Sequence, residues 1–273
     1  MTVQEWLGED NKLGIDIWKK KYQCNNESFD EWLDRVSDGN ESMKEILIQK
    51  KGLPAGRVIS NINTGKKGSM ANCASEGYVG DSLVDIMKVN TDIALTFKAQ
   101  GGQGISLSKL RPKGCGINNG QFESDGIIPF MEIFNRTTES ISQGGSRKGA
   151  LLMSLDIWHK EASQFITIKS EEGRIQKANL SLEIDDEFME CVRKYYDTGE
   201  VIKKTITRDY EGNVVTYEVT PIELYKLMIK TAYNWAEPGC IFTNRFRNYN
   251  LMEFCDDYNI ENCNPCGKNA CLK

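Results

Sequence analysis

At 273 residues, with 40% hydrophobic and 27% charged content, the chain is long enough to bury a sizeable core in one large domain or two small ones. Its net charge of −5 gives no general attraction for nucleic acid, and it contains no run of about eighteen apolar residues with which to cross a membrane. Met1 to Gly14 lacks the basic start and apolar centre of a secretory signal, and the nine cysteines are spread thinly, so a cytoplasmic protein with reduced thiols is expected.

Ser28 and Glu31 have the spacing of a capping box, and Phe29, Trp32, Leu33 and Val36 form an apolar stripe, which predicts a docking helix. Gly52 to Asn63 reads as extended and turn-rich. Behind Ser82 as a cap, Leu83, Ile86, Val89, Ile93 and Phe97 fall near helical spacing. Gly101, Gly102 and Gly104 break that helix before a short strand from Ile105 to Leu107, a turn from Arg111 to Gly114 and a polar loop over 115–127. Ile128 to Ile141 is a second amphipathic helix, with Phe130, Ile133, Phe134 and Ile141 on its apolar side.

Ser142 to Gly149 is glycine-rich and cationic; it could serve as a plain connection, but three glycines so close together favour a functional, mobile segment. The apolar run Ala150 to Leu155 fits a buried parallel strand, and Ala178 to Ile184 is a further strand. A helix follows from Asp185 to about Tyr196, then a hairpin over Val201 to Val219 around Glu211-Gly212-Asn213. Thr220-Pro221-Ile222-Glu223 opens a helix running to about Trp235; Glu237-Pro238-Gly239 ends it before a strand from Cys240 to Thr243. Strands alternating with helices indicate an α/β domain with a mainly parallel sheet. His159 reads as a structural strand-end residue, and the pairs Asp185-Asp186 and Asp256-Asp257 as caps and turns.

Cys263, Cys266 and Cys271 cluster around an Asn264-Pro265-Cys266-Gly267 turn, offering metal ligands, a dithiol or one reactive sulfur on a tight loop. Cys263 and Cys266 have zinc spacing, but no second such pair exists and His159 is the only histidine. The tail, taken with Asn72-Cys73, Gly80-Asp81-Ser82-Leu83, the segment from Gly101 to Gly114 and Ser142 to Gly149, resembles the large catalytic subunit of ribonucleotide reductases. The resemblance runs from about Ile17 to Cys266. In Ile17-Trp18, Tyr22-Gln23 and Phe29 to Ser37 it is nearer the adenosylcobalamin-dependent branch than the iron-dependent one, whose radical comes from a metal-containing small subunit.

The resemblance implies the first half of a ten-stranded α/β barrel over 66–273, preceded by a small helical region over 1–65. It implies a thiyl radical on Cys266 that removes the ribose 3′ hydrogen, a ribose hydrogen bond from Asn264, and a reducing thiol at Cys73. Asn72, Gly101 and Gly102 fall to the ribonucleotide substrate. Asp81, Ser82, Arg111, Gln143 and Arg147 fall to a deoxynucleotide or ATP effector site. The implied partners are a second copy of the chain, paired through the helices from Ser82 and Ile128, and a thioredoxin-like reductant; neither nucleic acid nor a membrane is among them.

This sequence departs from the family at Lys268, where the family has a glutamate that takes the ribose 3′-hydroxyl proton. Cys271 follows the finger loop too early for the usual resolving cysteine. With no ATP-cone domain before Met1 and no second half of the barrel after Lys273, a separate chain completing the barrel, or an interrupted gene, is expected. The competing readings are a non-catalytic nucleotide-binding or dimerisation module and a zinc-binding interaction protein built on the three tail cysteines.

Overall fold

The computed structural model describes the chain except residues 67, 118–120, 144–146, 172, 251–259, 264–269 and 273. It divides into two compact units, one over Met1–Asn72 and a larger one beginning at Cys73.

The first unit is helical: α1 (Val3–Leu7), α2 (Lys12–Ile17, continued by a π turn over Trp18–Tyr22), α3 (Phe29–Ser37), α4 (Glu41–Ile48) and α5 (Gly56–Asn61). Both arms of the Ser28–Glu31 capping box form, so α3 starts where its sequence signals it. Its stripe packs with Trp6, Trp18, Leu47 and Ile59, and Phe29 stacks on Trp32 with centroids 5.5 Å apart. Arg35, on the same helix, makes a half-buried 2.8 Å ion pair with Glu27 and donates to the carbonyls of Tyr22, Ile59 and Ile62. The passage expected to be extended over Gly52 to Asn63 contains α5 instead. Burial of Ile59 in the aromatic cluster outweighs the poor helix propensity of Gly56 and Asn61.

The second unit is built on five parallel strands in the order β1 (Cys73–Tyr78), β2 (Gly102–Ser106), β7 (Leu151–Asp156), β8 (Ala178–Ile184) and β11 (Gly239–Phe242). Between β1 and β2 runs α6 (Leu83–Lys98). Between β2 and β7 come a ribbon of β3 (Gly116–Ile117) and β4 (Phe122–Glu123), then α7 (Ile128–Ser140), then a second ribbon of β5 (Ser142–Gln143) and β6 (Arg147–Lys148). α8 (Ala162–Thr167) precedes β8, and α9 (Asp186–Thr198), the hairpin β9 (Lys204–Tyr210) and β10 (Asn213–Val219), and α10 (Pro221–Trp235) precede β11. α11 (Thr243–Asn248) follows, and the tail carries β12 (Ile260–Cys263) antiparallel to β13 (Ala270–Leu272).

Alternation along the strands sorts their side chains. Ile105, Leu151, Met153, Leu155, Ala178, Leu180, Leu182 and Ile184 join Ile93, Phe97, Met131, Phe134, Phe165, Phe188 and Met228 of the helices in one core. The alternate positions, Gly102, Gly104, Ser106, Ser154, Asn179, Ser181 and Glu183, give the other face of the sheet small and polar residues.

Three expectations are corrected within this unit. β2 begins at Gly102 and not at Ile105, because pairing on both sides, with β1 and β7, supplies what the glycines lack in propensity. The stretch expected as a plain loop over 115–127 contains the β3–β4 ribbon. On α7 the buried apolar residues are Met131 and Phe134, while Ile133 is 36% exposed.

Candidate functional site

Cys73 opens β1 and is half-buried at the amino-terminal end of the sheet. β12 packs against both β1 and β2, and Cys263 at its end is buried. β12 and β13 both pack against the strand that carries Cys73. β12 and β13 pair through Cys263 and Ala270, bracketing 264–269, so Asn264, Cys266 and Lys268 lie outside the described residues. Asn72, just before β1, is exposed, whereas Gly101 and Gly102 are buried where α6 turns into β2. The backbone N–H of Gly101 closes the helix on the Thr96 carbonyl at 2.9 Å, and a Cβ there would sit 2.9 Å from the Thr96 methyl.

Asp81 and Arg111, both expected at the effector site from the family resemblance, bind each other. Asp81 Oδ1 accepts from the Arg111 backbone N–H and Oδ2 from Nε, both at 2.8 Å. Arg111 Nη1 donates to the Gly116 carbonyl at 2.9 Å, and Nη2 to Glu211 at the hairpin tip at 2.8 Å. Burial works against the Arg111 charge, but Asp81 and Glu211 outweigh it and hold the guanidinium pKa above its ordinary value. Burial lifts the Asp81 carboxyl, against the Arg111 contacts that favour its charged form. Ser82 caps α6: its hydroxyl accepts from the Asp85 N–H at 3.1 Å and donates to the Asp85 carboxylate at 2.7 Å. Gln143 and Arg147 pair as the two-residue strands β5 and β6, flanking 144–146, which lie outside the described residues.

Sequence reading missed three groups. Glu183, at the carboxyl end of β8, is 6% exposed; it accepts from the Ser154 hydroxyl at 2.6 Å and the Ser108 hydroxyl at 3.0 Å. Burial pushes its carboxyl pKa up, opposed by the serine hydroxyls and supported by Asp156. Arg208, on β9, pairs with Asp156 and donates to the Ser108 carbonyl at 3.2 Å, which pins the hairpin over this end of the sheet. Glu161 accepts from the backbone N–H groups of Ile127 and Lys113, and a Cβ on Gly126 would strike its carboxylate at 2.3 Å. The strict alternation from Ala178 to Ile184 was the signal that put Glu183 on the polar face. Arg208, 52 residues from Asp156, left none.

His159 is buried as a structural residue, its Nε2 3.0 Å from the Leu110 carbonyl and its Nδ1 accepting from the Glu161 N–H. Glu237 is likewise a structural acceptor, for the Leu180 N–H and for Lys169. Among the described residues no helix is long and apolar enough to cross a membrane.

The family described as ribonucleotide reductase, barrel domain, matches residues 72–271. The chain belongs to the ribonucleotide reductase family. Its five parallel strands, backed by helices, fit part of that α/β barrel. It is similar to the vitamin B12-dependent ribonucleoside-diphosphate reductase of Thermoplasma acidophilum, 29% identical over 255 residues, which is 90% of this chain and 32% of that protein. The enzyme of the same description from Mycobacterium tuberculosis is 27% identical over 229 residues, 84% of this chain and 32% of its own length. The ribonucleoside-diphosphate reductase subunit alpha of Chlamydia trachomatis is 33% identical over 136 residues, 48% of this chain and 13% of that one. The chain thus spans about a third of the length of these vitamin B12-dependent relatives.

Proposed function

We propose that this chain contributes the first half of the barrel to an enzyme that reduces ribonucleotides to deoxyribonucleotides by radical chemistry on sulfur. The supporting observation is the packing of β12, which ends just before Asn264, against β1, which begins at Cys73. In this reading the Cys266 thiyl takes hydrogen from ribose C3′ and later returns it, while Asn264 holds the ribose by a hydrogen bond. The 2′-hydroxyl leaves as water with a proton from Cys73. Cys73 and a second thiol then supply the remaining hydrogen and two electrons and end as a disulfide, which a thioredoxin-like reductant reopens. Asn72, Gly101 and Gly102 border the substrate, the two glycines allowing close approach to the backbone.

Asp81, Ser82 and Arg111 take a deoxynucleotide or ATP effector, with Gln143 and Arg147 relaying its identity. Leu83, Val84 and Leu95, at 65%, 78% and 56% exposure, leave an apolar face on α6 suited to a second copy of the chain. The proposed division is a helical region over 1–65 and the half-barrel over 66–273, with a second chain as the candidate source of the other half.

Adenosylcobalamin, on which the vitamin B12-dependent relatives bear, would supply the one-electron oxidation of Cys266; a metal-containing small subunit is the alternative source. His159 does not fit as a cobalt ligand, since Leu110 and Glu161 occupy both its nitrogens, and none of the described residues is assigned to hold the cofactor. Lys268 favours a second reading, a nucleotide-binding module without chemistry. The test is deoxyribonucleotide formation with the completed barrel, adenosylcobalamin and a dithiol. Cys266→Ser should abolish it and Cys73→Ser should stop turnover, whereas undiminished product from either variant overturns the assignment.

A further inference from the structure

Of the contacts made by Arg111, those to the Asp81 carboxylate and the Gly116 carbonyl are internal supports of the β1–α6 and β3 connections. Nη2 also lies 3.5 Å from the Asp81 carbonyl, and its other partner, Glu211, is different in kind. Glu211 sits at the tip of the β9–β10 hairpin with φ of +52° and its side chain is 70% exposed, yet its carboxylate lies 2.8 Å from Nη2 of a guanidinium only 11% exposed. A cavity of about 420 Å³ is lined by Glu211 together with Asp81, the other carboxylate partner of Arg111, and by Lys109. Behind the tip the hairpin is held separately, by Arg208 on Asp156 and the Ser108 carbonyl and by the Tyr217 hydroxyl on the Trp158 carbonyl at 2.7 Å.

We propose that Glu211 is a built-in competitor for the ligand anion at Arg111: a nucleoside triphosphate that engages Nη2 displaces the Glu211 carboxylate and releases the hairpin tip. This rests on the effector reading of Arg111. Of the two anionic partners of the guanidinium, only Glu211 can leave without unpairing a buried charge, because its own carboxylate faces water. A phosphate arriving while Glu211 stays would meet a like charge across one guanidinium edge. Coupling of this sort is reciprocal: whatever loosens the tip tightens the ligand, and the ligand loosens the tip.

The test measures binding of dATP and dTTP, each with Mg²⁺, to the protein and to its Glu211→Gln and Glu211→Asp variants, with amide exchange of 204–219 followed in parallel. Glutamine removes the charge; aspartate keeps it, suits the left-handed turn, and is too short to reach Arg111. Both variants should bind about two- to fivefold more tightly than the parent, the range of a mostly exposed ion pair. Ligand should speed exchange around residues 210–213 in the parent, and both variants should already exchange fast and respond no further. Parent-like affinity in both variants with a ligand-insensitive hairpin overturns the competitor role alone. Absence of nucleotide binding to all three proteins removes the effector reading, and this inference with it.

Discussion

Asp81 grips Arg111 at two points, by the backbone N–H through Oδ1 and by Nε through Oδ2, each at 2.8 Å. One carboxylate thereby fixes both the path of the chain after β2 and the orientation of the guanidinium that the proposed effector site would use. Both side chains are largely enclosed, at 15% and 11% exposure. Asp81→Ala strands a donor pair and a charge, and should destabilise the unit by about 2–4 kcal/mol in chemical denaturation. Arg111→Ala should abolish the rise in melting temperature that saturating deoxynucleoside triphosphates give the parent. A parent that gains no stability from any of the four would count against the effector site.

Glu183 carries a raised pKa, so its contribution to stability is fully present below the ordinary carboxyl value and is lost as pH rises through the folded-state value. Glu183→Gln keeps one acceptor oxygen for a serine hydroxyl and presents an amide donor to the other, without an ionisable proton. Against the parent, the variant should gain relative melting temperature as pH is raised from about 4.5 toward 8. Parallel curves for the two proteins would mean that Glu183 does not titrate differently on unfolding.

His159 behaves oppositely. Burial lowers its pKa from 6.5 to about 4, opposed by its hydrogen bond to Leu110. The unfolded chain therefore binds a proton that the folded one refuses, and stability should fall as pH drops from 6.5 toward 4. The steepest slope from this one group is about 1.4 kcal/mol per pH unit. His159→Gln should lower the neutral-pH stability by exposing the pairing needs of Leu110 and Glu161, and should remove this acid slope. A slope that survives the substitution would assign the loss to other groups.

By the resemblance Lys268 is expected where the family has a glutamate, and a protonated amine is a donor where the proposed reaction needs an acceptor. In the completed barrel, Lys268→Glu should raise the rate of nucleotide reduction by about 10²–10⁴-fold, the contribution of a positioned general base. Cys266→Ser is the zero-activity control. Equal rates for the parent and Lys268→Glu would show that the amine serves as base or that Cys266 is not the radical site.

Local sequence determined most of the elements. Period-two alternation sets β8 from Ala178 to Ile184, helical spacing sets α6 from Leu83, Glu211-Gly212 makes the hairpin turn, and Ser28 with Glu31 starts α3, because each signal is an interaction within a few residues. The family, too, was legible, since its motifs are short blocks that keep their order along the chain. Tertiary structure decided what those signals leave open. Glycines at 102 and 104 became strand because β1 pairs with both and β7 with Gly104, and Gly56 to Asn61 became helix because a core of tryptophans had room for Ile59. The mutual engagement of Asp81, Arg111 and Glu211 spans up to 100 residues, and the placing of β12 over β1 spans more of the chain still. Such contacts depend on where the sheet brings distant segments together, and charge type or spacing in one segment carries no record of the partner waiting in another.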